Sequence, residues 1–161
     1  IKYKGIVMNN KPLILFQGPV RSRSGYGDHT RDLITSLIKS EKYDILIAPT
    51  KWGDCPETGL EPNSTNNAIS ARILTGNNLQ RQPDIFINCS VPNEWNNIQL
   101  IGKYNIGITA GIETTVCDST WIQGCNKMDL VIVPSEHSKE GFVNAMYEKM
   151  QQLPDGKQQK V

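Results

Sequence analysis

Nothing in these 161 residues approaches the ~18 consecutive apolar residues of a membrane-spanning helix. No charge of one sign is in excess either. Lys and Arg number 17 against 16 Asp and Glu, a net charge of +1, so no broad basic field invites nucleic acid. The opening IKYKGIVMNN lacks the long apolar core of a signal peptide. Cysteines are few: Cys55, Cys89, Cys117 and Cys125 fit no common zinc spacing and are too sparse for a small disulfide scaffold. Free thiols in a reducing cytoplasm are the simpler expectation. Neither Asn63-Ser64-Thr65 nor Asn88-Cys89-Ser90 argues for secretion, the second lying at the end of a buried strand pattern.

What is present is the alternation of an α/β domain. Apolar runs of strand length fall at 13–17, 44–48, 84–89, 105–109 and 130–133. They read as continuous runs (LILF, ILIA, IFIN, IGIT, LVIV), the habit of parallel strands covered on both faces. Helical spacing is expected at 28–40, 66–74, 118–126 and 138–152, and more weakly at 93–101. Ser135 is the expected N-cap of the last helix, with Ser138 as the alternative. The fold class is therefore α/β: a doubly wound, mostly parallel sheet with helices on both faces, in one domain. We place that domain at 13–152, with 1–12 as an extension or edge strand and 153–161 as a polar tail. The first residue is Ile, so a fragment or processed chain is expected.

The stretch LILFQGPVRSRSGYGDHTRDLITSL, residues 13–37, has the order strand, glycine loop, helix start that builds anion sites. Three common versions fail on specific residues. Gly25-Tyr26-Gly27 has no third glycine, the approach from Gly18 is long, and no acid ends the second strand, which excludes the dinucleotide fingerprint. No Gly-Lys-Ser/Thr occurs, and Ser24 lacks the upstream glycine of a hydrolase elbow.

A fourth pattern fits. Residues 106–142 read IGITAGIETTVCDSTWIQGCNKMDLVIVPSEHSKEGF: a strand, Gly-x-Glu, a Trp, Asn-x-x-Asp, then a strand closing on Val-Pro-Ser. With Ser24–Leu33, this resembles the N-terminal Rossmann-like domain of two-domain GT-B glycosyltransferases, in the branch with sucrose- and mannosyl-transferase relatives. The matches extend from about Leu13 to Phe142. The resemblance implies transfer of a glycosyl group from a nucleotide-sugar donor to a hydroxyl acceptor (sugar, lipid or protein). It implies a retaining, metal-independent reaction, consistent with the lack of Asp-x-Asp, and no cofactor beyond the donor. It also implies a second nucleotide-binding domain, so the fragment alone is expected to be inactive. Peripheral membrane contact is compatible with it.

The same resemblance assigns roles. Glu113 would sit beside the transferred sugar as the catalytic candidate. Gly25, Tyr26, Gly27, His29, Ser135 and Glu136 would bind donor or acceptor. Plainer readings stand beside these. A single histidine such as His29 or His137 is commonly a solvated group, Tyr26 is equally placed to anchor its loop, and Arg21 and Arg23 are commonly solvated loop charges. Trp52, in a Pro/Gly-rich loop, is placed to stack on a sugar, whereas Trp95 and Trp121 read as packing residues. Asn126 and Asp129 read as residues that cap and position the turn into the fifth strand. The rival functional class is a stand-alone α/β module that binds an anion or sugar without catalysis.

Overall fold

The computed structural model describes residues 11–76, 79–112, 114, 116–147, 150–152 and 158–160. Five parallel strands form one sheet: β1 (Leu13–Gly18), β2 (Asp44–Pro49), β3 (Ile85–Cys89), β4 (Tyr104–Ile108) and β5 (Leu130–Ile132), in spatial order β2-β1-β3-β4-β5. All five expected runs are strands, within a residue or so at each end. Ile73 adds a single parallel bridge to Ile47 on the outer side of β2. There the Ile47 N–H donates to the Arg72 carbonyl and the Leu74 N–H to the Ile47 carbonyl, each at 2.9 Å. Counted as a rudimentary strand, this rung turns the order into 3-2-1-4-5-6, that of the doubly wound mononucleotide-type sheet.

The two faces are covered by different helices. Ile14, Phe16, Ile45, Ile47, Ile87 and Ile108 point to one face, where they pack with Ile34 of α1 (Gly25–Ser40) and Ile69 of α2 (Ser64–Ser70). Gly107 points to the other. A Cβ there would lie 2.5 Å from the Trp95 ring, so the glycine is what lets the 3-10 helix Pro92–Asn97 press its fully buried indole onto β4. α3 (Ser119–Cys125) packs against that 3-10 helix through Gly124, which abuts the Pro92 carbonyl. The Trp95 Nε1–H donates to Asn88 Oδ1 at 2.9 Å, and Asn88 Nδ2 donates to Gln17 Oε1 at 2.9 Å, so the polar atoms under this layer are paired.

Capping sets the helix starts. α1 begins at Gly25, earlier than the 28–40 spacing suggested, because Ser24 Oγ accepts from the Gly27 N–H. Ser135 caps α4 (Glu136–Val143), accepting from the Ser138 N–H, so the first of the two proposed caps is the one used. The expected helices at 66–74 and 93–101 are shorter than their spacing suggested. The first ends at Ser70, and the second is a 3-10 helix opened by Pro92.

One expectation is corrected. The helix at 138–152 stops at Val143, and residues 150–152 form β6, antiparallel to β7 at 158–160. The helix-forming composition of that stretch yields to hairpin pairing. The overlooked signal was Pro154-Asp155-Gly156, a turn signature between the two strands. The possible edge strand at 1–12 falls almost wholly outside the described residues.

At the amino-terminal edge of the sheet, Asp84 ties three elements together. Its carboxylate accepts the Leu13 N–H at 2.8 Å and pairs with Lys103 at 2.7 Å and Arg81 at 3.0 Å. The Lys103 hydrogen bond, reinforced by the Leu13 amide, holds this carboxyl down at about 2. Asp129 does similar work for β4, accepting from the Asn105 N–H at 2.7 Å and from Asn105 Nδ2 at 3.0 Å. Asn126 is the C-cap of α3, so both residues act in the turn to β5 as expected.

Candidate functional site

The long approach from Gly18 to Gly25 is a folded loop held from inside. Arg31 of α1 donates to the carbonyls of Val20 and Ser22, each at 2.8 Å, and pairs with Asp28. Arg23 hydrogen-bonds Thr58 at 2.8 Å and pairs with Glu61, which joins this loop to the segment after β2. The Gly59 N–H donates to the Arg21 carbonyl, and the Arg23 N–H to the Pro56 carbonyl. Arg23 is thus engaged within the protein rather than free for an anion.

Gly27 is buried, and a Cβ there would run into the Ser22 carbonyl. Its missing side chain admits its own loop rather than a phosphate, and its N–H already donates to Ser24. Gly25 has open space around it. The amide geometry of a phosphate cradle is therefore only partly present.

Tyr26 joins the first loop to the end of β4. Its hydroxyl lies 3.0 Å from Thr109 Oγ1 and accepts the Ala110 N–H at 3.0 Å. Its ring stacks on Trp52, centroids 4.3 Å apart and planes inclined by 29°. The anchoring role is the observed one, and the aromatic surface expected of Trp52 is shared with Tyr26.

Beside this pair, at the carboxyl edge of the sheet, is a cavity of about 500 Å³. Gly25, Tyr26, His29 and Leu33 of α1 form one wall. The ends of β4 and β5 form the other, through Ile108, Ile132 and Pro134. The volume is that of an ordinary small-molecule site. The cavity lies beyond strand carboxyl ends, the side on which ligands of doubly wound sheets bind, but it opens over β4 and β5 rather than at the point where the strand order reverses. That reversal lies between β1 and β3, and Gly18 marks it. A Cβ at Gly18 would come within 3.3 Å of both Thr30 and Cys89, so α1 is seated directly on these strand ends.

No known family model matches the chain, and neither a curated protein nor a solved structure is found to be similar to it.

Of the residues singled out from the sequence, Gly25, Tyr26 and His29 line the cavity. Ser135 acts as a helix cap. Glu136 is exposed and pairs with Lys139 at 2.6 Å, which raises the lysine. α4 nevertheless approaches the loop after β4, since a Cβ at Gly111 would meet Ser138. Glu113, in that same loop, lies outside the described residues. Among the described residues no three His, Cys, Asp or Glu side chains converge as metal ligands.

Apart from Thr109, the lining residues that sequence reading missed are apolar, Leu33, Ile108 and Ile132 among them. Their spacing marks them as core, and nothing local distinguishes a core residue from a cavity wall. Ile132 remains 43% exposed, and among the described residues no helix besides α1 lines the cavity at its face of β5.

Proposed function

We propose that this chain supplies the acceptor-side wall of a nucleotide-sugar-dependent glycosyltransferase. The observation that carries the reading is the cavity, which brings the loop after β1, the end of β4 and the start of the β5 loop to one place. Those are the three segments whose residues resemble the GT-B N-terminal domain. The 3-2-1-4-5-6 arrangement, with the Ile73 rung counted, is compatible with it.

In this reading an acceptor hydroxyl lies near His29, and Glu113 is the carboxylate that the resemblance assigns to the transferred sugar. The donor nucleotide is held by a second domain, because Arg23, Arg31 and the Gly27 amide are already engaged within the first loop. Retention of configuration, independence from metal and a cytoplasmic setting belong to the same proposal.

The test is a panel of nucleoside-diphosphate sugars with hydroxyl acceptors, assayed on the natural gene product that contains these 161 residues. Turnover with one donor, lost in Glu113→Ala, is the expected result. No hydrolysis or transfer with any donor overturns the enzymatic reading. Ligand binding without turnover would instead favour a stand-alone binding module.

A further inference from the structure

The polar side-chain atoms on the cavity wall are few. They are the Tyr26 phenol, the Thr109 hydroxyl, the His29 imidazole and the Trp52 indole N–H. The first two are paired with each other, and they also accept the amides of Ala110 and Gly111. Among the described residues, the imidazole and the indole N–H have no protein partner. Apart from Gly25, the rest of the wall is hydrocarbon: Leu33, Ile108, Ala110, Ile132, Val133 and Pro134.

A free sugar suits such a wall poorly. Each ring hydroxyl taken from water without a partner costs about 1–3 kcal/mol, and among the described residues the wall offers two unengaged polar side-chain groups for the several hydroxyls of a hexose. An anion suits it no better. Among the described residues no Lys or Arg lines it, and the nearby Arg23 and Arg31 of the first loop and α1 are paired with Glu61 and Asp28. What suits it is a molecule with an apolar body and one hydroxyl.

We infer that the cavity binds a compact apolar alcohol or phenol. Its body packs against Leu33, Ile108 and Ile132, and its hydroxyl sits at His29. The inference rests on the acceptor-side reading only where it calls this molecule an acceptor. The binding site itself follows from the wall.

The test is a titration of the 161-residue chain, followed by amide proton–nitrogen correlation spectra. The probes are 1-naphthol, naphthalene and methyl α-glucoside. The expected result is that 1-naphthol shifts the amides of Leu33, Ala110 and Ile132, binding about three- to tenfold more tightly than naphthalene, the worth of one hydrogen bond. His29→Phe is expected to abolish that advantage. Ala110→Phe fills the cavity from an exposed position that is tied in only through its backbone N–H. It is expected to weaken 1-naphthol at least tenfold while the spectrum stays dispersed.

Equal or stronger shifts with methyl α-glucoside overturn the inference. So does a dispersed spectrum that 1-naphthol leaves unmoved. Binding of 1-naphthol by a gene product that turns over no donor supports the site and sinks the transferase reading. Turnover with polar acceptors alone supports the transferase reading and overturns the role of the bound alcohol as its acceptor.

Discussion

The hydroxyl of Tyr26 lies 3.0 Å from Thr109 Oγ1, although the two residues are 83 apart in sequence. One phenol thereby fixes the start of α1 against the end of β4, and it also accepts the Ala110 amide. Tyr26→Phe keeps the ring and its stack on Trp52 but removes the oxygen. It is expected to lower stability by about 1 kcal/mol, since it breaks one partly buried and one exposed hydrogen bond. Urea unfolding followed by far-UV circular dichroism measures this. Amide exchange should quicken at Ala110 and Gly111 before it does elsewhere. An unchanged midpoint with unchanged exchange at both amides would show that the phenol ties nothing together.

Gly107 and Trp95 form a second such pair. A methyl at Gly107 would meet three atoms of the indole six-membered ring at 2.5–2.8 Å. Gly107→Ala is expected to cost about 1–3 kcal/mol as overpacking. Trp95→Leu alone leaves a void and the Asn88 amide oxygen short of one donor, and is expected to cost about 3–5 kcal/mol. In the double variant the methyl has somewhere to go. The double-mutant cycle should therefore return a coupling of at least about 0.5 kcal/mol, the pair being less destabilised than the sum. Strict additivity would mean that the glycine is not there for the indole.

Asp84 gives the fold an acid limb. Its carboxyl ordinarily titrates at 3.8 and is held at about 2 in the folded chain, chiefly by the Lys103 hydrogen bond. A carboxyl lowered on folding contributes stability that is complete above its unfolded value. That contribution disappears as pH falls from about 4 through about 2, where the folded state takes up its proton. Asp84→Asn removes the titration. Denaturant midpoints at pH 6, 4, 3 and 2 should fall more steeply for the parent chain than for the variant across the lower three. Parallel curves would place the acid sensitivity elsewhere.

The sheet was legible in the sequence because parallel strands buried on two faces leave continuous apolar runs, and all five survived as strands. Helix ends were less legible where one side chain decides them. Ser24 draws α1 back to Gly25, and only its reach to the Gly27 amide shows why. The last helix was over-read because residues 144–152 favour helix locally, while their pairing with 158–160 is a contact between separated segments. At the site, sequence pattern singled out residues 13–37 and 106–142 and, within the first, Gly25, Tyr26 and His29. It could not reveal that Tyr26 would bond Thr109, or that Arg31 would fold the first loop onto itself. Those are tertiary contacts with no local signature. Nor could it separate Leu33 and Ile132 from the core, since apolar spacing is the same whether a helix or a ligand covers the residue.

The four thiols differ in a way that can be read chemically. None is in a disulfide. Cys89 is fully buried, and burial pushes its thiol up, against a smaller opposing effect of the Thr30 hydroxyl. Burial also raises Cys117, which is almost wholly enclosed. Cys55 and Cys125 are both half-buried, so access alone does not separate them. Burial raises the Cys125 thiol to about 11, and the neighbouring Cys117 adds to the effect. At pH 8 that leaves roughly one Cys125 in a thousand as thiolate, the form that reacts. Ellman's reagent at pH 8 should therefore label one thiol per folded chain quickly, and peptide mapping should find it at Cys55. Cys125 should follow far more slowly, and Cys89 and Cys117 only as fast as the domain opens. Urea should bring all four to one rate. Labelling of Cys125 as fast as Cys55 would show that the environment between α3 and β5 does not suppress its thiolate.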